Sequence, residues 1–393
     1  MTEIGLYYKP FIMRIAMVGQ KGIPAVYGGI ERHVEELSAR LAEGGFDVTV
    51  FCRPWYGNKS EVKNEKLKVY KGINLAYLPS LKTKHFDAIS HTFLATIYAM
   101  IGKFDIIHYH GVGPALLSFL PRIFCRKTKV ITTFHCIDRK HQKWGLFAKI
   151  MLRAGEWAAC RFAHETITVS KTLQQYCSEA YDKDTAYVPN GVNVVESSPN
   201  PSSEILKKFN LEKNKYLLMV SRLVRHKGAH YLVQAFRDLK EKDATFRDLK
   251  LVFAGDSAFT DDYVKELKNS AKDDLNIVFV GFQSGRPLED LFLNSLAVVH
   301  PSESEGLPIA VLEAMSYGKV VLASDIPENM ELIKDYGFSF QNKNIGDLTQ
   351  QLKEVLPRHD LWEKGEEAKK FVAKNYSWDF VVSEVRKVYQ SLY

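Results

Sequence analysis

The chain is poor in cysteine and has no long apolar run. Its five cysteines, Cys52, Cys125, Cys136, Cys160 and Cys177, are odd in number, lie in the first half and show no C-x-x-C spacing. That excludes a disulfide framework and a cysteine-built zinc site, and it fits a reducing compartment. No stretch reaches the roughly 18 apolar residues of a membrane-spanning helix, and the longest candidate, Phe93 to Gly102, has about half that length. The opening MTEIGLYYKPF has an early acid and no apolar core, so a secretory signal is not expected and a cytoplasmic protein is. Low-complexity tracts and G-x-G-x-x-G are absent, which argues against a disordered tail and a dinucleotide fingerprint. Neither a Ser–His–Asp arrangement nor a metal-ligand cluster stands out, and no metal is expected.

What is present is a chain of 393 residues, 46% hydrophobic, long enough for two or more domains. Its net charge of +7 is lopsided. Residues 1–195 carry 26 Lys+Arg against 16 Asp+Glu, and residues 196–393 carry 27 against 30. The halves are therefore +10 and −3, which points to a polyanionic partner for the first. Within it, residues 121–161 hold ten basic side chains opposed by Asp138 and Glu156, with Trp144, Phe147, Ile150 and Trp157 interleaved. This is the pattern of an interfacial basic helix, with Lys140, Lys143, Trp144, Lys149 and Arg153 as the candidate contacts to an anionic membrane. The competing reading is a solvated face over a core helix.

Short apolar runs alternate with amphipathic stretches throughout. The strands expected are Arg14–Val18, Val48–Phe51, Leu75–Leu78, Asp105–Tyr109, Val130–Phe134 and Thr166–Val169, then Tyr216–Val220, Leu249–Ala254, Ile277–Val280, Ala297–His300 and Val320–Ala323. Many are continuously apolar, as strands covered on both faces are, and the alternation with helices predicts parallel α/β sheets. A Ser/Pro/Asn run at Ser197–Ser203 reads as a linker between two halves of similar grammar.

Four loops carry chemistry. The segment Gly19–Glu31 follows the first strand, and Gly28 and Gly29 allow close backbone approach to a phosphate at a helix N-terminus. Ser221–Gly228 occupies the same junction in the second half, where Arg222 and Lys227 suit a diphosphate. In His300–Met315, Glu305 stands in the loop before a helix, Pro308 reads as its first residue, and Glu313 sits among apolar neighbours where sugar hydroxyls satisfy a carboxylate. Thr132–His135 ends a strand, placing His135 at its carboxyl end, with His108 and His110 similarly placed.

These pieces come in a familiar order: GGIE at Gly28–Glu31, TTFH at Thr132–His135, YVPNGV at Tyr187–Val192, SRLVRHKG at Ser221–Gly228, AGD at Ala254–Asp256, VGF at Val280–Phe282, and HPSESEGLPIAVLEAM at His300–Met315. Together they resemble the retaining nucleotide-sugar glycosyltransferases of family 4. The resemblance implies an α/β protein of GT-B fold, two Rossmann-like parallel-sheet domains facing across a cleft. Residues 13–195 plus 377–393 are the expected acceptor domain, with a C-terminal crossover helix, and 196–376 the donor domain. Met13–Leu37 also resembles a bacterial surface-polysaccharide subgroup described as rhamnosyltransferase-like, which makes residues 1–12 an extension.

The resemblance also distributes roles. Arg222 and Lys227 hold the donor diphosphate, which, with no Asp-x-Asp motif expected, makes a metal unnecessary, and Glu313 binds the ribose. Glu305 holds the transferred sugar beside the backbone of Gly306, Leu307 and Pro308. His135 contacts that sugar from the other domain, Gly28 and Gly29 lie near the phosphates and the acceptor, and Gly281 and Phe282 border the base. The expected partners are a nucleotide sugar and a glycan or lipid-linked acceptor; no cofactor and no nucleic acid is expected. Asn193 and Lys319 depart from the family pattern. The rival readings are a nucleotide-sugar epimerase and a non-catalytic polyanion binder.

Overall fold

The structure is a computed structural model that describes residues 12–26, 28–56, 68–81, 83, 86–140, 145–194, 204–258 and 260–393. The Ser197–Ser203 linker and all but Ile12 of the expected extension lie outside the described residues. The chain divides into two compact units. One takes the described residues up to Val169 with Leu173–Val188 and Val382–Tyr393; the other takes Ser170–Thr172 and Pro189–Val381.

Among the described residues, the first unit has strands β1 (Arg14–Val18), β2 (Asp47–Cys52), β3 (Val69–Tyr70), β4 (Ile73–Tyr77), β5 (Ile106–His110), β6 (Lys129–Phe134), β7 (Glu165–Thr168) and β8 (Ala186–Tyr187). They lie in the order β3-β4-β2-β1-β5-β6-β7-β8, parallel except for the β3–β4 pair. The second unit has β9 (Tyr216–Val220), β10 (Lys250–Ala254), β11 (Ile277–Gly281), β12 (Ala297–His300), β13 (Val321–Ser324) and β14 (Phe338–Phe340) in the parallel order β11-β10-β9-β12-β13-β14. Every residue of β5 is buried, and every residue of β6 after Lys129, because helices cover both faces of a parallel sheet.

Local contacts explain the division. Val192 bridges to Ser377 and its amide donates to the Tyr376 carbonyl at 2.9 Å, so Pro189–Val194 travels with the second unit. Gly191 presses on the Trp378 ring, where a Cβ would stand 2.5 Å from the indole. The C-terminal helix Trp378–Gln390 buries Val381, Val385 and Tyr389. It docks on the first sheet, with Tyr389 Oη 2.8 Å from His108 Nδ1 and Arg386 donating to the Gly44 carbonyl at 3.2 Å.

Candidate active site

In each sheet the chain reverses its direction of travel at one point. It moves from β1 to β2 on one side, and β5 lies on the other; in the second unit it moves from β9 to β10, and β12 lies across β9. A crevice opens at the carboxyl ends of the strands at such a reversal, and the motif loops sit there.

In the second unit, Ser221–Gly228 leaves β9 and 301–308 leaves β12, its immediate neighbour. The loops are tied together. The Glu303 amide donates to the His226 carbonyl at 2.8 Å, and Ser302 Oγ donates to the same oxygen at 3.3 Å. Gly228 adopts φ 76 as it opens helix Ala229–Lys242, and a Cβ there would overlap the Pro301 carbonyl oxygen. Only glycine lets the two loops pack this closely.

At the centre, Lys227 Nζ donates to Glu305 Oε1, and His300 Nε2 lies 2.8 Å from the same oxygen. The three side chains are 15%, 9% and 3% exposed. Burial alone would raise the Glu305 carboxyl; the Lys227 charge and the His300 contact outweigh it and hold the group well below the usual carboxylate range. Arg222 stands exposed in the same loop, while Arg225 is paired with Glu266 at 2.5 Å and stacks over Tyr263. Gly306, Leu307 and Pro308 are buried, and Asn190 Nδ2 donates to the Leu307 carbonyl at 2.9 Å. The helix that follows is Ile309–Ser316, so Pro308 caps it in extended conformation rather than opening it. Glu313 is buried in its second turn. Gly281 ends β11 at φ 72 with open space where a Cβ would go, and Phe282 beside it is exposed.

In the first unit, Gly28 precedes helix Gly29–Glu43 at φ 106. The space its Cβ would fill belongs to the Glu31 carboxylate, which also accepts from the Lys21 amide at 3.1 Å. Glu35 accepts from the Ala25 amide at 2.6 Å, so two helix carboxylates hold the glycine loop closed. This is a structural reason for Gly28 that the sequence reading lacked.

His135 follows β6 and belongs to a cluster of four imidazoles. His110 Nδ1 lies 3.3 Å from His135 Nε2, His33 packs edge-on to His135, and His108 stacks on His110. His135 is the most accessible of them. Burial, and then the neighbouring imidazoles, push His110 and His135 well below the ordinary histidine value, and burial holds His108 at about 3; all three are neutral at pH 7. The expectation of no ligand cluster needs correcting here. Ligand atoms of His33, His110 and His135 lie within 4.8 Å of one another, brought together from a helix, β5 and the loop after β6. An Asp-x-Asp spacing, Asp182-Lys183-Asp184, does occur, but it turns between helix Lys171–Tyr181 and β8, at the opposite end of the sheet.

Sequence reasoning assigned no role to His300, which orients Glu305, or to Asn190, which fixes the Leu307 carbonyl; both lay inside quoted motifs. Residues 202–378 match the family model "Glycosyl transferases group 1", and residues 27–196 match "Glycosyltransferase Family 4". An uncharacterized glycosyltransferase of Methanocaldococcus jannaschii is 28% identical over 96% of this chain and 98% of its own. An O-antigen biosynthesis glycosyltransferase of Escherichia coli is 26% identical over 62% of this chain and 67% of its own. The solved structure of Anabaena HepE in complex with UDP and glucose has a TM-score of 0.77 at 18% identity, over 96% of this chain and 100% of that one. The two matched segments together span most of the sequence, and the chain is a glycosyltransferase of the GT-B fold.

Proposed function

We propose that the protein is a retaining transferase that moves a sugar from a nucleoside-diphosphate donor to a glycan or lipid-linked acceptor in bacterial surface polysaccharide synthesis. One observation carries the donor reading. Gly281 with Phe282 at the end of β11, and Gly255, Arg222 with Lys227, and Glu305 just after β10, β9 and β12, sit on four strands adjacent in that order. Adjacent strands are about 4.8 Å apart, so the row spans about 14 Å, the reach of a base, a diphosphate and a sugar laid end to end. The UDP and glucose of the HepE complex and the O-antigen role of the Escherichia coli relative are in line with it.

In this reading the base lies by Phe282, the ribose hydroxyls donate to Glu313, and Arg222 and Lys227 bind the diphosphate. Glu305 and the backbone of Gly306–Pro308 hold the sugar. As the C–O bond to the leaving phosphate breaks, negative charge grows on that oxygen and the anomeric carbon becomes oxocarbenium-like. Fixed cations stabilise this state more than the ground state, which replaces a metal. The leaving oxygen takes the acceptor's proton and the acceptor attacks from the same face. Lys227 must exchange Glu305 for phosphate, so donor binding rearranges the pair. The enzyme works in the cytoplasm at the membrane.

A thermal-shift screen of UDP, GDP and dTDP in the presence of EDTA tests the donor site, since a ligand at 100 times its Kd stabilises by about 2.7 kcal/mol. Acceptor-dependent release of nucleoside diphosphate with retained anomeric configuration is the expected product result. No shift with any of the three, or a covalent glycosyl adduct trapped on Glu305, overturns the reading.

A further inference from the structure

The outer helical layer of the first unit differs from an ordinary solvated face. The connections β4–β5, β5–β6 and β6–β7 all advance the same way across the sheet, so right-handed crossovers place helices Asp87–Ile101, Phe119–Phe124 and Leu146–Arg161 on one face. The layer is continuous. The first helix adjoins the second, Ser118 Oγ donates to the Ala158 carbonyl at 3.4 Å, and the Phe162 ring packs between Phe119, tilted at 6.0 Å, and Trp157, edge-on at 5.3 Å.

Large apolar side chains stand outward on all three helices. Ile101 is 76% exposed, Phe124 67% and Phe147 77%, with Tyr98, Ile150 and Trp157 also exposed. Surface helices normally turn charge outward, and contiguous apolar patches mark interaction sites. Four cations of these helices, Arg122, Lys149, Arg153 and Arg161, are exposed, as are Arg126 and Lys127 in the turn after Phe119–Phe124. The carboxylates of the layer are withdrawn: Asp87 pairs with Arg53 at 3.1 Å, and the fully buried Glu156 with Arg139 at 3.1 Å. Helix Asp87–Ile101 carries no Lys or Arg at all, a division of labour between an inserting helix and basic neighbours. Among the described residues no helix is long and apolar enough to cross a membrane.

We infer that this three-helix layer seats on an anionic lipid surface. Tyr98, Ile101, Phe124 and Phe147 enter the headgroup boundary, and the cations meet lipid phosphates. Of the expected contacts, Lys149 and Arg153 lie in this layer, Lys143 and Trp144 fall outside the described residues, and Lys140 is described only through its backbone. The inference rests on the lipid-linked-acceptor reading for its purpose, but its test needs no turnover.

The test is flotation of the full chain with vesicles of phosphatidylglycerol and phosphatidylcholine, against phosphatidylcholine alone, at low and high salt. Binding to the anionic vesicles alone at low salt is expected. Lys149→Gln with Arg153→Gln should weaken it about 25-fold, since each surface cation is worth about fivefold in partitioning. Tyr98→Ser with Ile101→Ser, which leaves the charge intact, should also weaken binding to the anionic vesicles at low salt. Equal binding to both vesicles, none at low salt, or a stable dimer whose mass collapses in the Tyr98/Ile101 variant overturns the inference. The same variants keep the wild-type thermal shift with nucleoside diphosphates. A wild-type chain that shows the shift but does not float sinks only the docking surface; a wild-type chain that floats but shows no shift sinks only the donor reading.

Discussion

Replacing Lys227 by Met leaves Glu305 buried with His300 as its remaining named partner. Lys227 and Glu305 are 15% and 9% exposed, so solvent cannot rehydrate the stranded carboxylate without opening the loop. Breaking a buried pair from one side costs about 3–5 kcal/mol. In a unit of roughly 200 residues each kcal/mol moves Tm by about 2–4 °C, so the second unit's transition should fall by about 6–20 °C. Adding Glu305→Gln removes the stranded charge, and the double variant should be more stable than Lys227→Met alone, with a coupling of about 1–3 kcal/mol. The coupling must also depend on pH. Folded Glu305 binds its proton more weakly than in the unfolded chain, so the pair's contribution is complete above the unfolded carboxyl pKa of about 4.3. It is lost as pH falls from there through the lower folded value. Urea or thermal unfolding of the four members of the cycle, at neutral pH and in acid, is the assay. Additive effects at neutral pH, or a coupling that persists unchanged in acid, refute the argument.

Gly228→Ala should destabilise the second unit by more than the about 1–3 kcal/mol of a left-handed residue, because its Cβ also meets the Pro301 carbonyl. Gly281→Ala, with a similar φ and open space, should cost only the conformational term, and equal urea midpoints for the two would contradict this packing. Arg222→Ala removes an exposed side chain, so the melting temperature should hold while calorimetry registers nucleoside-diphosphate affinity down about 10- to 150-fold, the worth of one charge-assisted bond. Tyr389→Phe strips the buried His108 Nδ1 of its hydroxyl partner and should cost the first unit about 1–3 kcal/mol in denaturant titration.

Much of this protein could be read along the chain. Arg14–Val18, Tyr216–Val220 and Ala297–His300 are strands residue for residue, because a continuous apolar run bounded by turn residues has few other local solutions. The loops after β1, β9 and β12 were legible for the same reason: a parallel strand must be followed by a turn and a helix, and the unusual residues stood in those turns. Val69–Tyr70 and Ala186–Tyr187 escaped notice, since two residues carry no period and pair only because an edge is available.

Long-range order decided the rest. Lys227 and Glu305 lie 78 residues apart, and each reads locally as a charged loop residue; they meet because β12 lies beside β9. His33, His110 and His135 become one buried cluster only when a helix is laid over β5 and β6. The mostly apolar helix Asp87–Ile101 reads as a core helix, yet Ile101 faces outward, because the sheet offers a helix one face to cover and leaves the other to whatever lies outside. Periodicity follows from near neighbours and is written in the sequence, whereas the partner of a charge and the exposed side of a helix follow from strand order, which no local pattern encodes.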